Sequence, residues 1–174
     1  MLGLHNLKTM VIRKIEKSDL QLRVDWMNNP KIYSSMHFDL PVLLDNTVRW
    51  FENNQTNDHR SDVCFVENEE IVAFGGLTSI DKILKKAELY IFVNPDSHKS
   101  GIGTQATKLL CQYGFEELGL HKIYLLTNEN NMAAIRVYQK CGFVLEGRHR
   151  DEYLAEDRYM DRLYFGLLKT EFDG

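Results

Sequence analysis

The sequence predicts one mixed α/β (α+β) domain, in which a mostly antiparallel central sheet of about seven strands carries helices on both faces. Three observations predict this fold class. Short period-2 runs follow one another with polar turns between them, which favours antiparallel pairing. The strand–helix–strand unit of residues 88–127 favours one parallel pair. The 174 residues suffice for one domain, which we place at residues 10–174, after a flexible extension at residues 1–9.

The N-terminal part of the domain is predicted to contain a strand and two helices. Residues 10–15 form the strand. Ser18 is a suitable N-cap for the first helix, which ends at the run Asn28-Asn29-Pro30. The second helix begins at Asp45, and residues 34–44 between the helices are predicted to be irregular.

The rest of the chain alternates between strands and helices. The predicted elements are strands at 62–66, 70–77 and 86–93, a helix at 101–118, a strand at 122–127, a helix at 131–140, and strands at 143–154 and 158–168. Polar residues 67–69 and 155–157 form turns between consecutive strands. In the strand at 86–93, alternation places Glu88 on the same face as Tyr90 and Phe92.

Composition excludes several classes of function. A formal net charge of -4 argues against nucleic-acid binding, which usually needs a basic surface. We find neither an apolar run long enough to span a bilayer nor a signal-peptide pattern, so we expect a cytoplasmic protein without a membrane partner. The three cysteines and the histidines lack metal-ligand spacing, so we expect no metal, and the cysteines are predicted to be buried.

A glycine-rich run at residues 93–106, VNPDSHKSGIGTQA, leads from a strand into the long helix. Gly101 and Gly103 allow the backbone to turn sharply and to lie close to a ligand. The first N–H groups of a helix have no partner within it, and the helix dipole adds positive charge there. With Thr104 contributing a hydroxyl and Lys99 a cation, this run predicts a phosphate site.

The same letters also satisfy a dinucleotide-binding pattern, G-x-G-x-x-A, but their context does not. That fold needs a tight turn from strand to glycine, and here residues 94–100 intervene. It also needs further strand–helix repeats, whereas only one helix and two strands follow residue 127. The context therefore argues against a redox dinucleotide domain.

A second run, NENNMAAIRVYQKCGF at residues 128–143, complements the first. Asn131 at the start of its helix and Tyr138 lie two turns apart, roughly 10 Å, within about 20° of one face. Because each run follows one of two neighbouring parallel strands, the two are predicted to hold a long phosphorylated cofactor between them.

The two runs resemble the acetyl-CoA-binding motifs of the GNAT superfamily of N-acetyltransferases. The first resembles Q/R-x-x-G-x-G/A through residues 98–103, with His98 at the usual glutamine or arginine position. The second resembles N-x-x-A-x-x-x-Y-x-K-x-G-F through residues 131–143. The pattern Trp26-x-Asn28-x-Pro30 and the pair Ala87-Glu88 resemble the branch that acetylates ribosomal-protein N-termini, polyamines and amino sugars.

This resemblance implies acetyl-CoA as the cosubstrate. The main chain of residues 91–93 would pair with the pantetheine arm like an added strand, and Asn131 would hydrogen-bond the cofactor unless it serves only as an N-cap. The expected cofactor-binding residues are Ile91, Phe92, Val93, His98, Lys99, Ser100, Gly101, Ile102, Gly103, Thr104, Asn131 and Ala134.

The resemblance also implies direct attack of an amine on the thioester, without a covalent enzyme intermediate. Glu88 is the expected general base, because aromatic neighbours on its face would raise its pKa. A structural glutamate, or a chain of waters as the base, is the alternative. Tyr138 is the expected acid for the departing thiolate, with a core tyrosine as the alternative.

The resemblance implies that the irregular residues 34–44 form a wall of the acceptor site, so we expect the acceptor to contact Tyr33, His37 and Phe38. Tyr153, near the end of the penultimate strand, is a further expected contact. A small-molecule amine, with an amino sugar first, is our first expectation. The alternatives are a polyamine, a protein N-terminus, or a non-catalytic CoA-binding module. An acidic loop would suit a polyamine, a shallow groove a peptide, and a basic pocket a nucleotide-linked amino sugar. A homodimer is compatible with the sequence.

Overall fold

One seven-stranded sheet organises residues 9–174, the part of the chain that this computed structural model describes. The strands are β1 Val11–Lys14, β2 Ser61–Glu67, β3 Glu70–Asp81, β4 Lys86–Val93, β5 Lys122–Asn128, β6 Val144–Ala155 and β7 Arg158–Leu168. Their spatial order is β1-β2-β3-β4-β5-β7-β6. The pair β4–β5 is parallel and the other neighbouring pairs are antiparallel, which confirms the predicted mixed sheet. The predicted extension, apart from Thr9, lies outside the described residues.

Helices cover both faces of the sheet, as predicted. They are α1 Leu20–Met27, α2 Pro30–Tyr33, α3 Leu44–Asn53, α4 Ile102–Gln112 and α5 Met132–Lys140. On one face α4 and α5 bury a core that includes Leu110 and Ile135. On the other face α1, α2 and α3 cover a smaller cluster around Trp26 and Phe74, whose rings meet edge to face at 5.1 Å. Apolar residues on both faces of β4 therefore become buried.

The predicted N-cap at Ser18 is wrong. The chain enters α1 through a 3₁₀ turn, Lys17–Asp19, so Ser18 lies inside that turn. Asp19 is the N-cap of α1 by position, but its side chain does not cap that helix. Its Oδ2 instead accepts a hydrogen bond of 2.8 Å from the Glu16 N–H, at the start of the 3₁₀ turn. Arg13 donates to the same carboxylate at 2.7 Å, and an ionised acceptor makes the stronger hydrogen bond.

Two element ends differ from the prediction by several residues. The strand predicted at 70–77 continues to Asp81, where its pairing with β4 becomes irregular. The helix predicted at 101–118 is α-helical to Gln112 and finishes as a π turn, Tyr113–Glu117. The π turn places Phe115 in the core, 2 % exposed, and leaves Glu116 and Glu117 in solvent.

Candidate functional site

The strands β4 and β5 are paired at the start of each strand and then separate. Their parallel register ends at the pair Glu88–Tyr124, whereas β4 runs on to Val93 and β5 to Asn128. Residues 89–93 therefore have ladder partners on the β3 side alone. An open strand edge can take an extended ligand as an added strand, as expected here for the pantetheine arm.

The N-terminus of α4 lies beyond the end of β4 and has no side-chain cap. Gly101 occupies the N-cap position in the left-handed conformation, with φ of 86°, and no side chain caps the helix. The first helical hydrogen bond runs from the Gln105 N–H to the Gly101 carbonyl at 3.0 Å, so the preceding N–H groups have no helical acceptor. A bare positive helix terminus of this kind fits a diphosphate.

Lys99 does not supply a free cation to this loop. Its Nζ donates to both carboxylate oxygens of Glu67, at 2.6 and 2.5 Å. Glu67 is only 6 % exposed, so the carboxylate needs this partner. The charge that Lys99 would offer a phosphate is therefore partly balanced within the protein.

The other side chains of the expected cofactor site differ in exposure. His98 and Ser100 are exposed, and Thr104 is half-buried. Ile102 and Phe92 belong to the two cores, at 3 % and 5 % exposure, so they can offer a ligand little more than backbone groups. This agrees with a loop that would bind phosphate mainly through main-chain N–H groups.

Helix α5 packs beside α4 and carries two of the expected site residues, Asn131 and Tyr138. Asn131 is its N-cap, and its Oδ1 accepts a hydrogen bond of 3.2 Å from the Ala134 N–H. The side-chain oxygen of Asn131 is thus occupied, as the N-cap alternative requires. Tyr138, two turns further on, is 8 % exposed, and its ring packs against Phe143 with centroids 5.8 Å apart.

Glu88 and Tyr138 line one cleft where β4 and β5 separate. The cleft has a volume of about 280 Å³. Ile91 and Leu126 line it from the two diverging strands, and Phe38 lines it from the irregular segment before α3. The structure therefore brings together the expected base, the expected acid and part of the expected pantetheine strand.

Glu88 has the electrostatic environment predicted for a base. Burial raises the pKa of its carboxyl above the ordinary value of 4.5, while the Arg162 guanidinium opposes that shift. Tyr90 and Phe92 share its face of the sheet and stack at 6.5 Å, as the alternation predicted. Among the described residues no ion pair engages the Glu88 carboxylate, so it lacks the cross-sheet partner of the structural alternative.

Tyr138 keeps its proton across the neutral range. Burial raises the pKa of its phenol well above the ordinary value, and two neighbouring thiols, Cys141 and Cys111, act in the same direction. A neutral phenol next to the cleft can donate a hydrogen bond or a proton, which is the property expected of the acid.

The four expected acceptor contacts line a second, larger cavity, which we call the acceptor groove. It has a volume of about 840 Å³ and is lined by Tyr33, His37, Phe38 and Tyr153, among others. The rings of His37 and Tyr153 meet edge to face at 4.2 Å. Since His37 and Phe38 line both cavities, the groove opens next to the cleft.

The sequence reasoning missed three arginines that line the cleft, Arg23 on α1, Arg60 before β2 and Arg162 on β7. Arg23 had a detectable signal, because it shares the helical stripe of Leu20 and Met27, where a charged residue is out of place. The other two lie outside any regular pattern that would single them out.

Among residues 9–174, no three histidine, cysteine or carboxylate side chains cluster as a metal site would require. All three cysteines are buried and free. Burial raises the pKa of Cys64 to about 12 and that of Cys141 to about 11, so these thiols are poor nucleophiles at neutral pH. None of the helices in the described part of the chain has the length and apolar content needed to span a bilayer.

Comparison with known proteins places this arrangement in a family. Residues 9–144 match the acetyltransferase (GNAT) domain. Spermidine N(1)-acetyltransferase from Vibrio cholerae is 27% identical over 165 residues, covering 94% of this chain and 95% of that protein. YdaF from Bacillus subtilis, named as a candidate ribosomal N-acetyltransferase, is 32% identical over 98 residues, covering 56% and 54% of the two chains.

A solved structure shares the fold over nearly the whole chain. The crystal structure of spermidine N-acetyltransferase from Vibrio cholerae in complex with CoA and spermine has a TM-score of 0.88 and 26% identity. The match covers 93% of this chain and 96% of that one. The chain therefore belongs to the GNAT acetyltransferase family and is an acetyl-CoA-dependent N-acetyltransferase.

Proposed function

We propose that this chain, acting through residues 10–174 as one domain, acetylates a small-molecule primary amine in the cleft beside Glu88. One observation carries the proposal: a desolvated, unpaired carboxylate and a neutral phenol face the same cleft at the open edge of β4. These are the two proton-handling groups that the reaction needs, because a primary amine is protonated at neutral pH and a thiolate leaves.

The cofactor-binding roles follow from the geometry of the loop and of β4. The main-chain N–H groups at the start of α4 would hold the diphosphate, and the open edge of residues 91–93 would hold the pantetheine arm. When bound, acetyl-CoA supplies an electrophilic thioester carbonyl. His98 and Ser100 are exposed at the rim of the loop and would contact the phosphates from outside.

In the reaction, Glu88 takes a proton from the bound ammonium at its carboxylate oxygen. A raised pKa makes this carboxylate a stronger base than an exposed glutamate. The free amine then attacks the thioester carbon, so that a C–N bond forms and the C–S bond breaks. Tyr138 holds its phenolic proton next to the cleft, delivers it to the departing sulfur and regains a proton from the acetylated nitrogen. Phe38 and Ile91 line the same cleft and reduce its hydration.

The relatives support a polyamine acceptor better than the amino sugar that the sequence put first. The Vibrio cholerae relative is named for spermidine, and its solved structure contains spermine. Within the proposal a polyamine is therefore the acceptor that the relatives favour, and the amino sugar is the other candidate. YdaF keeps a peptide N-terminus among the alternatives.

The test is acetyl transfer from labelled acetyl-CoA to a panel of amines that includes spermidine, glucosamine and a peptide N-terminus. Glu88→Gln should lower kcat about 100-fold or more and leave the dissociation constant of CoA unchanged. Glu117→Gln, at an exposed position on the π turn, is the matched control and should have wild-type turnover. Retained CoA binding without transfer to any amine would support the non-catalytic CoA-binding module instead.

We also expect the chain to form a homodimer. Strand β6 lies at one edge of the sheet and exposes Val144, Leu145 and Leu154, each by more than half of its surface. An exposed apolar edge strand favours pairing with another chain. Light scattering of the purified protein tests this expectation, and a monomer at micromolar concentration would contradict it.

A further inference from the structure

The cleft beside Glu88 has more positive than negative groups on its walls. Three guanidinium groups line it, those of Arg23, Arg60 and Arg162, whereas Glu88 is the one carboxylate among the described residues that line it. A surface of this charge attracts anions and repels polycations. The strength of this preference for anions depends on whether each guanidinium already has a carboxylate partner outside the cleft.

Arg60 is balanced by a carboxylate outside the cleft. Its Nε and one terminal nitrogen donate to the two oxygens of Asp62 at 2.7 and 2.8 Å. The phenol of Tyr90 donates to the same carboxylate at 2.5 Å. This bidentate pair leaves Arg60 with little charge to offer a ligand.

Arg23 is buried without a carboxylate partner in the described part of the chain. It is 7 % exposed, and its Nε has no hydrogen-bond acceptor. Its other contacts are weak acceptors: the Met27 sulfur at 2.9 Å and the Tyr90 hydroxyl at 3.5 Å. The ring of Trp50 lies 4.6 Å from the guanidinium carbon and offsets part of the burial cost. A buried cation of this kind is incomplete without an anion.

Arg162 presents a second incomplete guanidinium to the same cleft. Its Nε is buried and lacks an acceptor, and no ion pair engages it within residues 9–174. Its charge reaches the cleft, because it adds to the effect of burial in lowering the pKa of His37 and opposes the rise in the pKa of Glu88. Arg23 and Arg162 thus approach the cleft from α1 and β7.

The CoA diphosphate does not account for these two arginines. Its expected seat is the start of α4, and no residue of that helix terminus lines the cleft. The cleft is instead lined by the residues that handle the amine and by the segment around His37 that leads into the acceptor groove. Glu88 faces Arg162 in this cleft, and an anionic group on the acceptor would supply the partner that the two guanidiniums otherwise lack.

We infer that the amine acceptor carries an anionic group, a phosphate or a carboxylate, which Arg23 and Arg162 bind while Glu88 receives the ammonium. The inference rests on the proposed function and names its substrate class. Guanidinium groups bind both anions through paired hydrogen bonds, and phosphate with the higher charge. A phosphorylated amino sugar meets both requirements, whereas spermidine would bring additional positive charges to two arginines.

Calorimetric binding to the CoA-bound protein tests the inference without requiring turnover. The ligands are matched pairs: glucosamine 6-phosphate and glucosamine, O-phosphoethanolamine and ethanolamine, β-alanine and propylamine, with spermidine as the polycation. The first two pairs test for a phosphate, and the third pair tests for a carboxylate. We expect at least one anionic member to bind about tenfold or more tightly than its neutral counterpart.

Variants assign that preference to the arginines. Arg162→Gln should reduce the preference to below about threefold, and Arg162→Lys should retain part of it because the charge remains. Arg49→Gln, at an exposed position on α3 that lines no part of the cleft, should keep the wild-type preference. Arg23→Gln should act like Arg162→Gln; if it does not fold, Arg162→Gln carries the test alone.

The inference is overturned if no anionic member binds more tightly than its neutral counterpart, or if spermidine binds more tightly than all of them. It is also overturned if Arg162→Gln weakens both members of a pair equally. Failure of the proposed function looks different: the anionic amine would still bind preferentially, but no amine in the panel would accept the acetyl group.

Discussion

Lys99 and Glu67 form an ion pair between the loop before α4 and the end of β2, with the lysine Nζ 2.6 and 2.5 Å from the two carboxylate oxygens. The carboxylate is almost fully buried and the lysine is half-exposed. The pair therefore fastens the diphosphate loop to the sheet through a group that cannot easily remain charged alone.

Lys99→Met should lower the free energy of unfolding by about 1–2 kcal/mol, because it leaves the Glu67 carboxylate buried without a partner. Urea denaturation at pH 7 measures the change. The double variant Lys99→Met/Glu67→Gln should recover most of the loss. If the double variant is as unstable as the single one, the pair does not stabilise the loop.

Gly101→Ala should lower the free energy of unfolding by about 1 kcal/mol, because the left-handed conformation at φ of 86° is unfavourable for alanine. A Cβ at Gly101 would meet no atom within 4 Å, so the cost is conformational and not steric. Gly103→Ala is the control, because its Cβ would lie 3.7 Å from Val93 and Val137, an ordinary contact. Equal destabilisation of the two variants in thermal unfolding would contradict this account.

Tyr138→Phe should lower kcat about 10- to 100-fold and leave the KM for acetyl-CoA almost unchanged. The phenylalanine keeps the ring that packs on Phe143, so the fold should be intact. Steady-state kinetics at saturating amine measure the effect. A variant with wild-type kcat would show that Tyr138 is a core residue without a role in proton transfer.

The pH dependence of kcat at saturating amine should have its acidic limb above the ordinary glutamate value of 4.5, because burial raises the pKa of Glu88. Arg162→Gln should move that limb to higher pH, because the Arg162 guanidinium of the wild-type protein favours the ionised form of Glu88. The same amine is used for both proteins, so its own ionisation cancels in the comparison. An unchanged or lower limb in the variant would exclude Glu88 as the titrating base.

Glu88→Gln should increase the free energy of unfolding at pH 7 by about 0.5–1 kcal/mol. A carboxyl with a raised pKa stabilises the folded protein while it is protonated, and that contribution is lost as the pH rises through the raised value. The difference between variant and wild type should therefore disappear near about pH 4, below the ordinary pKa of a glutamate. A variant that is less stable at pH 7 would mean that the ionised carboxylate is stabilised in the fold.

The cofactor half of the site was accessible from the sequence because its parts are local. The bounds of β4 agree with the predicted strand, and the glycines that open α4 follow it closely along the chain. The conformation of a turn, a helix terminus or a strand depends on residues that are close together in the chain. The local sequence therefore predicts it. The ion pair of Lys99 was not accessible from the sequence, because its partner, Glu67, belongs to a strand distant in the chain.

The acceptor half was only partly accessible. Tyr33, His37, Phe38 and Tyr153 were expected to meet, and they do line one groove. Arg23 and Arg162 were missed, although they line the cleft with Glu88. They come from a helix near the N-terminus and a strand near the C-terminus, and no pattern along the chain connects such distant positions.

The sequence by itself determined the mixed sheet, the family resemblance and the loop that would receive a diphosphate, because hydrophobic periodicity and backbone chemistry are written in consecutive residues. The tertiary structure decided the charge of the cleft, the ion pairing of Lys99 and the opposing effect of Arg162 on the pKa of Glu88. These properties depend on which charged groups are buried near one another. Such burial arises only when elements distant in the chain pack together.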